Sequence, residues 1–413
     1  MPPGKFLRGL RTRVTDTDTN VVFMRIIYPV SEPITTSKAR FIQIMNTCHA
    51  LASLGCEVDI ITGCLSESTG DILKRFNLEP VQRLRIHKVP MMRAGHGGRV
   101  RISWGLIFNV SCLLKILGLV KKKAYTCIYL RHLKLAAFLL RFKKRIGVPL
   151  VFEAHELFSV TSKKKKMRRL EALVYSGFDR IVTNTETIKV LIEKTFSVGS
   201  DRIHVVRNGV SREIIASFRG KEPRTNGKIL YVGQLYRWKG VECLIESMAF
   251  IENALLDVVG GSEESIGRLQ ELASRKGVLD RVFFHGQVPY HNVKLFLNDG
   301  HVAVLPLKSS PDASFTCPLK LFEYMAAKMA IVASDMPVIR EVLRDGYNSI
   351  LVKPDDPKSL AQGIMRLLGN RALSVRIAEQ AFLDVSNFTW QNRAEKIEDI
   401  LKGLSSVNHH SSP

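Results

Sequence analysis

VVFMRIIYPVSEPITTSKARFIQIMNTCHALASLGCEVDIITG, residues 21–63, carries the pattern on which the fold turns. Val21 to Tyr28 is an apolar run of strand length. From Ser37 to Leu54 apolar residues recur at helical spacing, at Phe41, Met45, Cys48 and Leu51 with Ala52, and Gly55 supplies the stop. Val58 to Ile61 is a second strand, so the stretch predicts a β-α-β unit.

The same alternation continues through Cys127 to Leu130, a helical stretch ending at Ile146 and Gly147, and the strands Pro149 to Phe152, Arg180 to Thr183 and Ile203 to Val206. Strands alternating with helices imply a parallel sheet covered on both faces. Glu213 to Lys228 turns polar, with Gly220, Pro223, Thr225, Asn226 and Gly227, and reads as a linker. A second round follows at Ile229 to Val232, Ala254 to Val259, Arg281 to Phe284, Val302 to Leu305 and Ala330 to Ala333. The expected fold class is α/β, with two Rossmann-like doubly wound domains facing a central cleft. The pattern predicts a flexible leader over residues 1–20, the first domain over 21–212, the linker over 213–228 and the second domain over 229–385. Ligands of such sheets bind beyond the carboxyl ends of the strands.

Composition sets the other bounds. A chain of 413 residues with 46% hydrophobic and 24% charged residues is globular and long enough for two cores. The seven cysteines are scattered without a C-x-x-C pair, which suggests neither a zinc site nor a disulfide framework and fits a reducing compartment. Lys5, Arg8, Arg11 and Arg13 precede no apolar h-region before Asp16, which argues against a secretory signal. Trp104 to Val120 is apolar, but at seventeen residues with Asn109 and Lys115 it reads as a core or interfacial helix rather than a membrane span.

Charge is unevenly divided. Through Arg219 there are 38 Lys and Arg against 16 Asp and Glu, a net of +22 out of +23 for the whole chain. No acidic residue lies between Glu79 and Glu153, whereas Lys121 to Lys123, Arg141, Lys143 to Arg145, Lys163 to Lys166, Arg168 and Arg169 cluster positive charge. Such a surface suits anionic lipid or nucleic acid, with a merely solubilising face as the plainer reading.

Two segments carry candidate chemistry. Tyr231-Val-Gly-Gln-Leu-Tyr-Arg-Trp-Lys-Gly240 sets a glycine turn after a strand and a lysine before a helix from Val241 to Phe250, where backbone N–H groups and an ammonium can meet an anion. An ordinary strand-to-helix turn with a surface lysine explains it equally well. In Ser314-Phe-Thr-Cys-Pro-Leu-Lys-Leu-Phe-Glu-Tyr-Met-Ala-Ala327, Thr316 is the predicted N-cap and Pro318 lies in the first turn. Lys320 then occupies a turn in which a cation is disfavoured by about 0.3–1 kcal/mol, which makes sense if an anion binds there. Glu323 lies one turn on, as a partner for vicinal hydroxyls or as an ordinary helix-surface glutamate.

In order along the chain, Gly233-x-Leu235 with Lys239-Gly240, Val259-Gly-Gly261, His285-Gly-x-Val288, Pro318-Leu-Lys-Leu-Phe-Glu-Tyr-Met-Ala-Ala327, Val332-Ala-Ser334, Glu341-Val and Asp345-Gly-x-Asn348 resemble family 4 retaining glycosyltransferases of the GT-B fold. The likeness covers about residues 22 to 402. Val206-Arg-Asn-Gly-Val210 looks like the strand end before the linker, and Phe388-Thr-Trp390 with the helix after it (about 386–402) like a C-terminal segment crossing back to the first domain.

The resemblance implies that Lys239 contacts the donor phosphates, that Leu319 and its neighbours offer them backbone N–H groups, and that Glu323 binds the ribose. His155, in Phe152-Glu-Ala-His-Glu156, matches a histidine that faces the donor sugar. Ser37, Lys38 and Arg40 match a loop facing both substrates. The implied catalytic residues are therefore His155, Lys239 and Glu323, and the donor-binding set is Gly233, Gln234, Arg237, Thr316, Cys317, Pro318, Leu319, Lys320 and Val288, with no metal and no cofactor beyond the nucleotide sugar, such as a UDP- or GDP-sugar. Two positions depart from the family. Phe315 stands eight residues before Glu323, in place of the first of two paired glutamates, and Gln234 replaces an arginine, for which Arg237 is the candidate substitute.

These features predict a metal-independent retaining transferase, cytoplasmic and peripheral on the inner face of the membrane, acting on a lipid-linked or surface saccharide. Asp16-Thr-Asp18 imitates a metal-binding D-x-D but precedes the first strand. The alternatives are a basic nucleic-acid-binding protein, although no zinc-finger, RNA-recognition or helix-turn-helix signature accompanies the charge, an inactive relative, and a GT-B epimerase or phosphorylase.

Overall fold

A computed structural model describes residues 24–34, 38–63, 66–91, 104–162, 164–289 and 292–407. The expected leader with Asp16 and Asp18, as well as Ser37 and Lys163, lies outside the described residues. Two sheets organise the chain. The first contains β1 (Arg25–Pro29), β2 (Glu57–Gly63), β3 (Leu84–Val89), β4 (Cys127–Leu130), β5 (Leu150–Ala154), β6 (Arg180–Thr183) and β7 (Ile203–Val205), in the order β3-β2-β1-β4-β5-β6-β7. The second contains β8 (Lys228–Val232), β9 (Leu255–Val259), β10 (Val282–Gly286), β11 (Val302–Leu305), β12 (Ala330–Ser334) and β13 (Ile350–Val352), in the order β10-β9-β8-β11-β12-β13. All registered neighbours are parallel, and both sheets reverse their winding beside their first strand, between β1 and β4 and between β8 and β11. Such reversals open a crevice at the strands' carboxyl ends.

Burial follows from the residues. β4 and β12 are buried throughout, as the apolar runs demand of strands covered on both faces. The Ala39–Ser53 helix buries Phe41, Met45, Cys48 and Leu51 on one face of the first sheet. Trp104–Val120 is helical and packs on the other face through Phe108, Cys112, Leu113 and Ile116, while Leu106, Val110 and Leu114 are 50%, 42% and 65% exposed. No helix among the described residues is long and apolar enough to cross a membrane.

The region read as a linker is more structured than its composition suggests. Ser211 caps a helix, Arg212–Phe218, whose Ile215 and Phe218 enter the apolar core beside the second sheet, and only the residues after it lack regular structure. After the second sheet the chain returns to the first. The Trp390–Val407 helix adds Trp390, Ala394, Ile397, Leu401 and Leu404 to the core between the first sheet and the Ala39–Ser53 helix. At the crossing, Val210 N–H donates to Phe388 O at 2.9 Å and Trp390 N–H to Val210 O at 3.2 Å. Gly209 is required there, because a Cβ would stand 2.6 Å from the Thr389 carbonyl carbon.

Candidate active site

The carboxyl end of β8 leads into a site assembled around two lysines. Gly233 follows the strand at φ +142°, and a Cβ on it would strike Lys320 Nζ, so glycine satisfies both the turn and the close approach of an ammonium. Arg237–Lys239 form a 3-10 turn, and Gly240 at φ +72° begins the helix Val241–Ser247. A Cβ on Gly240 would strike Pro306 O, at the end of β11, so this turn is seated directly on the second sheet's reversal point. The Lys239 ammonium lies 3.8 Å from the centroid of the Trp238 ring, and burial lowers its pKa to about 7.

The helix that bears Lys320 starts later than its sequence suggests. Thr316 is not the N-cap: its hydroxyl donates to Asp312 O at 2.9 Å and its N–H closes a turn onto Ala313 O. The chain is extended at Pro318, the helix runs Leu319–Ala326, and no side chain caps it. Lys320 is therefore in the first turn, among unpaired backbone N–H groups that themselves favour an anion. Its Nζ is buried with no hydrogen-bond partner, 4.0 Å from the centroid of the Tyr231 ring. Burial, then repulsion from Lys239, hold its pKa well below the usual lysine value, against the pull of Glu323. Glu323 is buried on the same helix, and the adjacent Tyr324 hydroxyl accepts from Val232 N–H at 2.8 Å, which ties helix to strand.

Of the other residues singled out, Gln234 and Arg237 are exposed at the turn, with Gln234 O accepting from the Tyr231 hydroxyl, and Val288 is half-buried beyond β10. Cys317 O accepts from Asn208 Nδ2 at 3.2 Å, and Leu319 packs against the first domain's core, so this loop bridges the two sheets. Phe315 reaches further still. It is 3% exposed and belongs to the apolar cluster that contains Phe152, Ala154 and Leu157, an apolar setting that suits phenylalanine rather than a carboxylate.

His155 lies elsewhere, just past β5, in a cavity of about 470 Å³. The cavity is lined by the ends of β1 (Pro29–Glu32), β4 (Arg131–Lys134) and β5 (Phe152–Glu156), together with Arg40, Phe41, Phe158, Lys164 and Met167, and so occupies the first sheet's reversal point. Glu153 Oε1 accepts from His155 Nε2 at 2.9 Å, from Gln43 Nε2 at 2.8 Å and from Arg393 Nη2. Sequence reasoning missed Glu153 and Arg393, and only the Glu-x-His spacing at 153–155 hinted at the first. In the sequence Glu341 stands out only as part of the Glu341-Val motif. Its carboxylate accepts from Glu186 N–H at 2.9 Å, Thr187 N–H at 3.0 Å and Arg207 Nη2 at 3.2 Å, binding the second domain to a helix N-terminus of the first.

Comparison with known proteins agrees over both halves. Residues 214–384 match the model described as "Glycosyl transferases group 1", and residues 42–214 match "Glycosyltransferase Family 4". A D-inositol 3-phosphate glycosyltransferase from Acidothermus cellulolyticus is 30% identical over 282 residues, 62% of each chain. The chain spans about 60–63% of the length of the first curated relatives it matches. Among solved structures, sucrose-phosphate synthase from Thermosynechococcus elongatus has a TM-score of 0.76 at 19% identity, covering 93% of this chain and all of that one. HepE from Anabaena, solved with UDP, has a TM-score of 0.71 at 15% identity, covering 92% of this chain and all of that one. These neighbours share the GT-B arrangement of two doubly wound sheets.

Proposed function

The chain belongs to the group 1, family 4 glycosyltransferases of the GT-B fold, and from that premise we propose that it moves a sugar from a nucleotide-sugar donor to a hydroxyl of a lipid-linked or surface saccharide. One observation carries the donor half: the buried Lys320 ammonium, without a hydrogen bond in a helix's first turn and repelled by Lys239, lacks the anion its position requires. A diphosphate supplies that charge. Lys239 and Lys320 then stabilise it as it leaves, the Leu319–Ala326 helix offers backbone N–H groups, and Glu323 receives the ribose hydroxyls. The UDP bound by the Anabaena neighbour makes uracil the first base to test.

The cavity around His155 receives the sugar and the acceptor. The bond from the anomeric carbon to the phosphate oxygen breaks, the acceptor hydroxyl attacks from the same face, and its proton passes to the departing phosphate. Catalysis consists of positioning and of stabilising the leaving group, work the two lysines do without a metal. Activity is accordingly expected to survive chelation by EDTA, and its loss, restored by added magnesium or manganese, would overturn this part of the reading.

The first domain is proposed to dock on an anionic membrane. Exposed Lys164, Lys165, Lys166, Arg168 and Arg169 lie at the start of the Lys165–Gly177 helix, which packs into the same core layer as the Trp104–Val120 helix with its exposed Leu106, Val110 and Leu114. Lys164 and Met167 also form the rim of the His155 cavity, so a surface bound by this face brings an acceptor to the cavity mouth.

A thermal-shift screen of UDP, GDP and ADP sugars, repeated on Lys239→Ala and Glu323→Ala, tests the donor site. The wild-type chain is expected to be stabilised by one donor and both variants to lose the response; an unchanged response in both would overturn the assignment. Flotation with phosphatidylglycerol-rich and neutral vesicles tests docking, and equal binding to the two would sink it.

A further inference from the structure

The Glu153 carboxylate is an unusual thing to find under a sugar cavity. It is 1% exposed, on a strand buried along its whole length, yet each oxygen has partners. Besides His155, Gln43 and Arg393 on Oε1, the Tyr28 hydroxyl donates to Oε2 at 3.3 Å. Arg393 is the more surprising partner. It comes from the crossing helix, 240 residues on, is 2% exposed, and spends its other N–H groups on Thr47 Oγ1 at 3.0 Å, Val206 O at 2.5 Å and Arg207 O at 3.1 Å. A buried ion pair contributes little net stability compared with apolar side chains of the same volume, so a purely architectural tie here has no need of charge. What this pair does beyond tying elements together is fix a hydrogen-bond acceptor beneath the imidazole.

We propose that Glu153 and Arg393 are positioning residues for His155: the carboxylate, pinned by the guanidinium, holds the imidazole as its Nε2–H tautomer and leaves Nδ1 as an acceptor for a sugar hydroxyl in the cavity. The proposal rests on the reading of that cavity as the sugar site. Its logic is that of donors and acceptors. Burial favours a neutral carboxyl at Glu153, but Arg393, then His155 and Arg131, outweigh it and keep the group ionised, so both its oxygens can only accept. The proton between Glu153 Oε1 and His155 Nε2 therefore belongs to the imidazole. Burial, then Arg131, bring the His155 pKa down to about 4 despite Glu153, so at neutral pH the ring carries that one proton and Nδ1 is bare. No described residue hydrogen-bonds Nδ1. The charged and titratable groups around the ring come from every adjoining element: Tyr28 after β1's start, Arg40 on the first helix, Arg131 and His132 past β4, Glu156 beside it, and Arg393.

Histidine ¹⁵N NMR reads the tautomer directly, with His155→Ala identifying the signal. The wild-type chain is expected to show a neutral Nε2–H ring at pH 6. In Glu153→Met/Arg393→Met, which removes both charges together so that neither is left buried alone, the preference is expected to vanish, whereas Arg393→Lys keeps it. An Nδ1–H or protonated ring in the wild type, or an unaltered tautomer in the double variant, would overturn the proposal. The second readout is nucleoside diphosphate release from a mixture of UDP-glucose, GDP-mannose and ADP-glucose with bacterial membranes as acceptor. His155→Ala and the double variant are each expected to lose about a hundredfold in rate, and the triple variant to lose no more than His155→Ala, because the pair acts through the ring. Losses that multiply would refute positioning while leaving the sugar site intact. A wild-type rate in His155→Ala, or no release by the wild-type chain, would instead refute the reading on which the proposal rests.

Discussion

Between Gly233 and Lys320 the chain keeps a cation where, without a ligand, it costs stability, and that cost can be measured. Lys320→Met is expected to raise the melting temperature of the nucleotide-free protein while abolishing its response to donor, since the buried unpaired ammonium is removed along with the phosphate contact. Lys239 gives a pH signature. Its pKa is about 7 in the folded chain and about 10.4 unfolded, so between those values the unfolded state holds more protons, and the stability of the empty protein rises as pH rises from 7 to 10. Diphosphate binding needs the protonated form, so it takes up a proton above pH 7 and weakens with increasing pH. Melting curves against pH, and calorimetry in buffers of different ionisation heat, check both signs. Gly233→Ala is expected to cost about 1–3 kcal/mol and the donor response together, because its Cβ would displace Lys320 from a backbone at φ +142°. At this scale, local pattern singled out Lys239 and Lys320 as an anion-site candidate, whereas a role for Glu323 came only from the family resemblance. Thr316 was misjudged because a carbonyl four residues back takes its hydroxyl, and Glu153 and Arg393 could not be paired because nothing local in a sequence joins residues 240 apart.

Among the elements, legibility tracked the length and apolar character of each local run. The interior strands announced themselves as apolar runs, and β4, β6 and β11 fall on the residues expected of them. Of the four edge strands, β7 and β10 carry readable runs at Ile203–Val206 and Arg281–Phe284, but β3 and β13 do not. β3 reads Leu-Arg-Ile-His-Lys-Val, half exposed, because a strand with one neighbour need not be apolar on both faces, and β13 has only three residues. The Glu186–Phe196 helix shows how an element can depend on another domain. Thr185 caps it through Ile188 N–H, while the N–H groups of Glu186 and Thr187 are satisfied by Glu341 from the far side of the cleft. Glu341→Ala is expected to cost about 0.5–2 kcal/mol, the usual range for a lost cap. It should also loosen the two domains, which a larger radius of gyration in solution scattering would report; an unchanged radius would confine Glu341 to capping.

For the whole molecule, a net charge of +22 in one half and +1 in the other describes a polarised particle. Its association with anionic vesicles is expected to fall steeply between about 0.05 and 0.5 M salt as the Debye length shrinks; salt-insensitive flotation would assign binding to Leu106, Val110 and Leu114 instead. The two-sheet architecture was readable because each half repeats one motif, and the crossing segment after Phe388 was implied by the family resemblance; the contacts by which it joins the first core were not. Apolar residues of the Trp390–Val407 helix complete the first core, and its Arg393 neutralises Glu153 inside that core. On the ribosome these residues emerge only after the entire second half. Until then the first half, although synthesised earliest, has an open groove along the Ala39–Ser53 helix and, in its interior, a carboxylate without its guanidinium partner. Vectorial synthesis therefore cannot finish this protein from front to back: the nascent first half must wait, shielded or partly folded, for the last stretch to arrive.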